Sequence, residues 1–160
     1  FSIKDFKEWY KAKGHLYPLT FKEALTLFER AWNKGKFKET PFSIHPIKIE
    51  SENKDEYDEK EYFSMGLVSV KAKVIDANDS IFMPGIYKVD CKLKFKREEI
   101  KINEIATFEG FYAGVAEAEE EILVKGKLEK VKDKTKNEFY FRVVIGSFEA
   151  KGEDYIKVIV

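Results

Sequence analysis

The sequence has no glutamine, one cysteine, two histidines, four prolines and only three arginines among its 160 residues. A lone thiol, Cys91, cannot staple a secreted fold. Two histidines without a CxxC, HxxxH or HxH spacing give no metal-binding pattern. No apolar run approaches the roughly 18 residues of a membrane span, and no charged-then-apolar leader opens the chain. The expectation is therefore a cytoplasmic protein with no membrane partner. The phosphate loops GxGxxG and GxxxxGK[ST] are missing, and no Gly-x-Ser-x-Gly elbow surrounds Ser147, so neither a nucleotide loop nor a serine hydrolase is indicated.

Net charge is also absent, +0 from 29 basic and 29 acidic residues. The average hides an uneven distribution. Residues 1–49 hold ten bases against five acids, and residues 50–61 hold seven acids against two lysines. What the chain does have is 44% hydrophobic, 15% aromatic and 36% charged residues, with a mean hydropathy of −0.43. That composition suits one globular domain or two small ones with a real core. Lysine and glutamate enrichment without glutamine fits a thermophilic source, although AT-rich coding also favours lysine. A chain whose first residue is Phe1 is expected to be processed or cut from something longer.

Two helix starts stand out. Ser2 with Asp5, and Thr20 with Glu23, each fit the capping box in which a hydroxyl and an acidic side chain exchange bonds with the first-turn backbone. Ile3, Phe6 and Tyr10 then recur at helical spacing until Gly14. Phe21, Ala24, Leu25, Phe28, Ala31 and Trp32 form a second apolar stripe, which Asn33, Lys34 and Gly35 are expected to stop. Beyond it Pro41 and Pro46 forbid helix, and Phe42, Ile44, Ile47 and Ile49 read as extended chain. The acidic run of residues 50–61 reads as a solvated linker.

From there the period is two. Val68, Val70, Ala72 and Val74 alternate with polar residues, as do Tyr87, Val89, Cys91, Leu93 and Phe95. Further strands are expected over residues 105–112, 122–132, 139–145 and 155–160, with a hairpin at residues 133–137 and a short helix or wide turn over residues 113–121. The fold class is α+β: two N-terminal helices followed by an antiparallel β-barrel or sandwich of about six strands, an oligonucleotide-binding-type barrel being one option. The expected organisation is a helical segment with a connecting strand (1–49), an acidic linker (50–66) and a β-rich domain (67–160).

Chemistry-bearing residues are sparse. Cys91 lies between Val89 and Leu93 on an apolar face and reads as a small core residue. Paired carboxylates such as Asp55 with Asp58 sit in charged surroundings and read as solvated faces. The richest segment is Arg30, Asn33, Lys34, Lys36, Phe37 and Lys38, followed by His45. Cations that meet phosphates and rings that offer stacking faces are what nucleic-acid or nucleotide contact requires. The competing reading is structural: lysines at a helix C-terminus complement the macrodipole, and Trp32 lies on the apolar stripe.

The stretch from Arg30 to His45 resembles a segment of an archaeal family of predicted nucleotidyltransferases related in fold to DNA polymerase β. Similar phrasing continues in Asp79 to Pro84, in Val124 to Glu129 and in Val144 to Ser147. Such enzymes carry a Gly-Ser pair and then an Asp-x-Asp that holds two Mg²⁺ ions. Here Gly146-Ser147 is the one Gly-Ser pair, it lies near the C-terminus, and no Asp-x-Asp occurs. The resemblance therefore implies a non-catalytic region, with no catalytic residue, metal ligand or cofactor of its own, following the catalytic part of a longer nucleotidyltransferase chain. Mg²⁺ is expected only where that part is present. The resulting expectation is a region that binds nucleotide or nucleic acid; a structural or protein-interaction module is the alternative.

Overall fold

The computed structural model describes residues 2–31, the backbone of residues 34–37 and 40–43, residue 46, and residues 60–160. Helix α1 (Ile3–Lys13) starts with the reciprocal box the sequence predicts: the Ser2 amide donates to Asp5 Oδ2 at 2.8 Å, and the Asp5 amide donates to Ser2 Oγ at 3.3 Å. A 3-10 turn (Gly14–Leu16) follows. Helix α2 (Phe21–Glu29) is capped in the same way by Thr20 and Glu23. It ends earlier than the apolar stripe suggests. The Arg30 and Ala31 amides turn back to Leu27 and Phe28 carbonyls at 3.2 and 3.1 Å, the tightening that satisfies a helix's last acceptors. Lys34–Phe37 is consequently not a helix terminus but strand β1, paired antiparallel with β2 (Thr40–Ser43). Of the extended stretch expected after Pro41, Ile44, Ile47 and Ile49 lie outside the described residues.

Six strands then build one sheet: β3 (Lys60–Asp76), β4 (Gly85–Phe95), β5 (Glu98–Thr107), β6 (Glu121–Asp133), β7 (Glu138–Ile145) and β8 (Tyr155–Val158). The order β3-β4-β5-β7-β6 closes on itself because β3 also pairs with β6, and β8 adds to the β6 segment Ile122 to Lys125. This is a five-stranded barrel with one extra strand. It is mixed rather than antiparallel, since β5 and β7 run parallel from Ile102 opposite Phe141 to Thr107 opposite Ile145. Alternating side chains identify a strand but not the direction of its neighbour, which is set here by the crossover of residues 108–120. Residues 105–112, read as one extended run, divide into the end of β5 and a 3-10 turn (Gly110–Tyr112). The buried Tyr87 hydroxyl fixes the crossover, donating to the Tyr112 carbonyl at 2.5 Å and accepting from the Val115 amide at 3.0 Å. Burial pushes this phenol up to about 12.

The inward faces of these strands supply the core, with Ile102, Ile105, Ile122, Leu128, Val143, Ile145 and Ile156 fully buried. Cys91 belongs to it, as its alternation suggested. Gly126 marks a tight crossing: a Cβ there would stand 2.5 Å from the Val144 carbonyl oxygen and 2.9 Å from Ile145 Cδ1. Gly126→Ala should therefore lower stability by about 1–3 kcal/mol through overpacking, read as a reduced urea midpoint at unchanged slope.

The helices share that core. Trp9 stacks on Phe111 at 5.1 Å and 5°, Tyr17 on the same ring at 4.6 Å, and Phe6 touches Trp9, Tyr10, Phe21 and Phe28. The segment expected as a linker up to residue 66 is, from Lys60 onward, the first part of β3; residues 47–59 lie outside the described residues.

Candidate nucleic-acid interface

Of the residues that the sequence singles out, Arg30 is fully placed. Its guanidinium donates to Glu120 Oε1 and Oε2 at 2.5 and 2.9 Å and to the Val115 carbonyl at 3.1 Å, which ties the end of α2 to the crossover. Lys34, Lys36 and Phe37 sit in the β1 backbone. Asn33, Lys38 and His45, and Trp32 beside them, lie outside the described residues. The Arg30 pair has a pH signature. The bond from Arg30 is the main cause that holds the Glu120 carboxyl below its ordinary 4.5. A carboxylate with a lowered folded pKa stabilises the fold above its unfolded value and loses that contribution as pH falls through the folded one. The melting temperature should fall as pH drops below about 4.5, and Glu120→Gln, less stable at pH 7, should show a shallower acid decline in a thermal series.

A second region emerges only in three dimensions. Strands β3 and β4 pair only between Lys73 to Asp76 and Lys88 to Asp90, and β5 meets β7 only from Ile102 onward. At this end the barrel opens. The tip of the β4–β5 hairpin, residues 92–101, is an arm paired within itself among the described residues, from Lys92 opposite Lys101 to Phe95 opposite Glu98. Lys96 and Arg97 turn it with φ of 47° and 71°. Facing it is a three-stranded wall of β3, β6 and β7, in which residues 60–64 pair with residues 129–133 and these with residues 138–142.

Register partners share a face. Phe63, Lys130 and Phe141 are partners, and so are Glu61, Lys132 and Phe139 two positions along. They lie on the face that carries the buried pair Leu128 and Val143 further in, so this face continues the barrel interior into the open. There the rings are partly exposed to solvent: Phe63 is 47% and Phe139 58% exposed. Phe139 meets Phe141 edge-on at 5.8 Å and carries the Lys130 ammonium 4.3 Å above its centre. A groove of about 550 Å³ runs between Phe63, Lys130, Lys132, Asn137, Glu138 and Phe139. A second, of about 450 Å³, shares Lys130 and Phe139 and reaches Ile100 on the arm.

The two sides of the wall differ in how their charge is held. On the outer side Arg142 donates through Nε and Nη2 to Glu129 at 2.8 Å, Lys127 joins the same carboxylate at 2.8 Å, and the guanidinium lies 4.5 Å over Tyr62. On the inner side Lys130 and Lys132 have no carboxylate within 4.0 Å among the described residues, while Glu61, the register partner of Lys132, bonds Lys134 at 2.7 Å and also feels the charge of Lys132. Residues 92–101 and 130–142 together hold ten basic against four acidic residues. With Arg142 held by Glu129 and Lys134 by Glu61, the open end still gathers more positive than negative charge in a chain of zero net charge, beside exposed rings.

No group of three or more metal-ligating side chains occurs among the described residues. The Cys91 thiol is pushed up to about 11, first by burial and then by Asp90, which keeps it protonated near neutrality. Sequence reasoning passed over the wall because Lys130 and Lys132 fall at the end of an expected strand, where alternating lysines mark a polar face and nothing in the sequence shows which strands lie beside it. The available signal was Phe139 and Phe141 following directly on the lysines of residues 130–136.

No protein-family model matches the chain, and no solved structure matches it. It is 31% identical over 149 residues to the uncharacterized protein MJ1086 of Methanocaldococcus jannaschii, an alignment that covers 93% of this chain and 42% of that protein. The chain thus spans less than half the length of the curated relative it matches. Among the described residues no helix is long and apolar enough to cross a membrane.

Proposed function

We propose that this chain is a nucleic-acid-binding module built on an oligonucleotide-binding-type barrel, and that it contributes binding rather than catalysis to a longer protein. The strand order supports the barrel type: in the closed five-stranded ring the first strand pairs with the second and fourth, the third runs parallel to the fifth, and the crossover before the fourth packs across one end. Barrels of this class hold oligonucleotides or oligosaccharides on one face and adjoining loops. The observation that carries the reading is the pairing of exposed Phe63 and Phe139 with Lys130 and Lys132, which form no salt bridge among the described residues, on one open face. Rings give stacking surfaces and lysines give phosphate contacts, and together they make the sequence-tolerant binding of single-strand proteins. A nucleotidyltransferase-like context for the longer protein rests only on the resemblance in phrasing of residues 30–45, 79–84, 124–129 and 144–147.

The test is salt dependence. Affinity for single-stranded RNA or DNA should fall linearly in a log–log plot against salt, with a slope of roughly −0.7 per phosphate contact. Replacing Lys130 and Lys132 by Ala should flatten that slope by about 1.4 and leave the melting temperature nearly unchanged, because exposed lysines contribute little stability. The same measurement on a Lys34, Lys36 and Lys38 triple alanine variant shows whether the N-terminal basic segment adds contacts. No salt-dependent binding by the folded wild type would move the assignment to a protein-interaction module.

A further inference from the structure

We infer that the ligand is a single strand held between arm and wall, with bases on Phe63 and Phe139, and that Lys130 occupies the Phe139 ring in the free protein and leaves it for a phosphate on binding. This rests on the nucleic-acid reading and deepens it. Base faces are available for stacking in a single strand and are covered by neighbouring pairs in a duplex, so a site built on exposed rings selects the single strand. The outer face of the β4–β5 sheet, also basic, presents Lys88, Lys92, Lys94, Glu99, Lys101 and Glu104 at its register positions and no ring from these two strands. It can attract phosphates and cannot stack bases. The grooves of about 550 and 450 Å³ have the size of small-ligand sites, suited to individual nucleotides rather than to the flank of a helix.

Lys130 links the two grooves, since it lines both. Its ammonium stands 4.3 Å from the Phe139 centroid, a cation–π contact that orients the ring and shields its face. A stacked base and this ammonium cannot share that face. Binding therefore exchanges a cation–π contact for a base stack and frees a positive charge beside the incoming backbone. Lys132, one pleat along on the same strand face, is already open to solvent.

Tryptophan reporters in the full chain test this. Phe63→Trp and Phe139→Trp place an indole in the groove with the ring retained, and Lys92→Trp places one on the ring-free outer face; all three positions are surface-accessible, so each variant keeps its own measurement of folding by circular dichroism. Each is titrated at low salt with a short oligothymidylate and with a duplex of the same length, and emission is read as the difference from wild type. The expected result is strong quenching by the oligothymidylate in both groove variants, little in Lys92→Trp, and a preference for single strand over duplex on the order of tenfold or more. In the Phe139→Trp background, Lys130→Gln should raise quenching at high salt, where its phosphate contact counts least, because the ring is then uncovered. Salt-dependent binding with quenching confined to Lys92→Trp, or equal affinity for duplex, would overturn the clamp and leave nucleic-acid binding standing. Absence of binding in every variant and in wild type would overturn the underlying reading itself.

Discussion

Replacing Phe63 and Phe139 together by alanine should lower affinity for single-stranded nucleic acid by about 2–6 kcal/mol, the sum of two stacks at about 1–3 kcal/mol each. The loss should appear at every salt concentration, because stacking releases no counterions, so the log–log line shifts down with its slope kept. The rings are 47% and 58% exposed, and truncating them leaves the barrel core intact. Fluorescence anisotropy with a labelled oligonucleotide, alongside a thermal melt, separates the two effects. An unchanged affinity in the double variant would remove the rings from the site and leave lysines alone to explain any binding.

The second large effect is on stability. Phe6 is 1% exposed and packs its ring 5.0 Å from Phe28 and 5.1 Å from Phe21. Phe6→Ala should cost about 3–5 kcal/mol, the range for deleting a buried aromatic ring. Because Trp9 and Tyr17 carry the same ring cluster onto Phe111, helices and barrel should unfold in one transition, with far-ultraviolet and near-ultraviolet signals coincident in urea. Two separated transitions, the helices melting first and the barrel persisting, would show that the helical segment and the β-rich domain are independent units.

These two residues mark what the sequence did and did not disclose. Phe6 was legible: it falls at helical spacing behind a capping box, and a box is a local device whose partners are three residues apart. The end of α2 was not legible, because the apolar stripe runs on through Ala31, while the helix is ended by backbone turns and by an arginine reaching a glutamate ninety residues away. Strands β4, β6 and β7 were visible in their alternation. The closure of β3 onto β6 and the parallel pairing of β5 with β7 were hidden, since pleat periodicity is the same for any neighbour in either direction.

The site was hidden for the same reason. Lys130, Lys132 and Phe139 lie on one hairpin and Phe63 on a strand nearly seventy residues earlier, and only register places them on one face. The segment beyond residue 61 balances in charge, so its two basic hairpin tips cancel against acids elsewhere until the fold brings them to the same end. Conversely, the cation that looked most available, Arg30, is engaged by Glu120.

The most direct test is backbone amide shift mapping of the isotope-labelled chain as a single-stranded oligonucleotide is added at low salt. The largest perturbations are expected at Phe63, Lys130, Lys132 and Phe139, with weaker ones along the inner side of the arm at Leu93 and Ile100. Perturbations confined to α1 and α2 or to the outer face of β4 and β5, or no perturbation at all in a folded sample, would contradict a nucleic-acid site at the open end of the barrel.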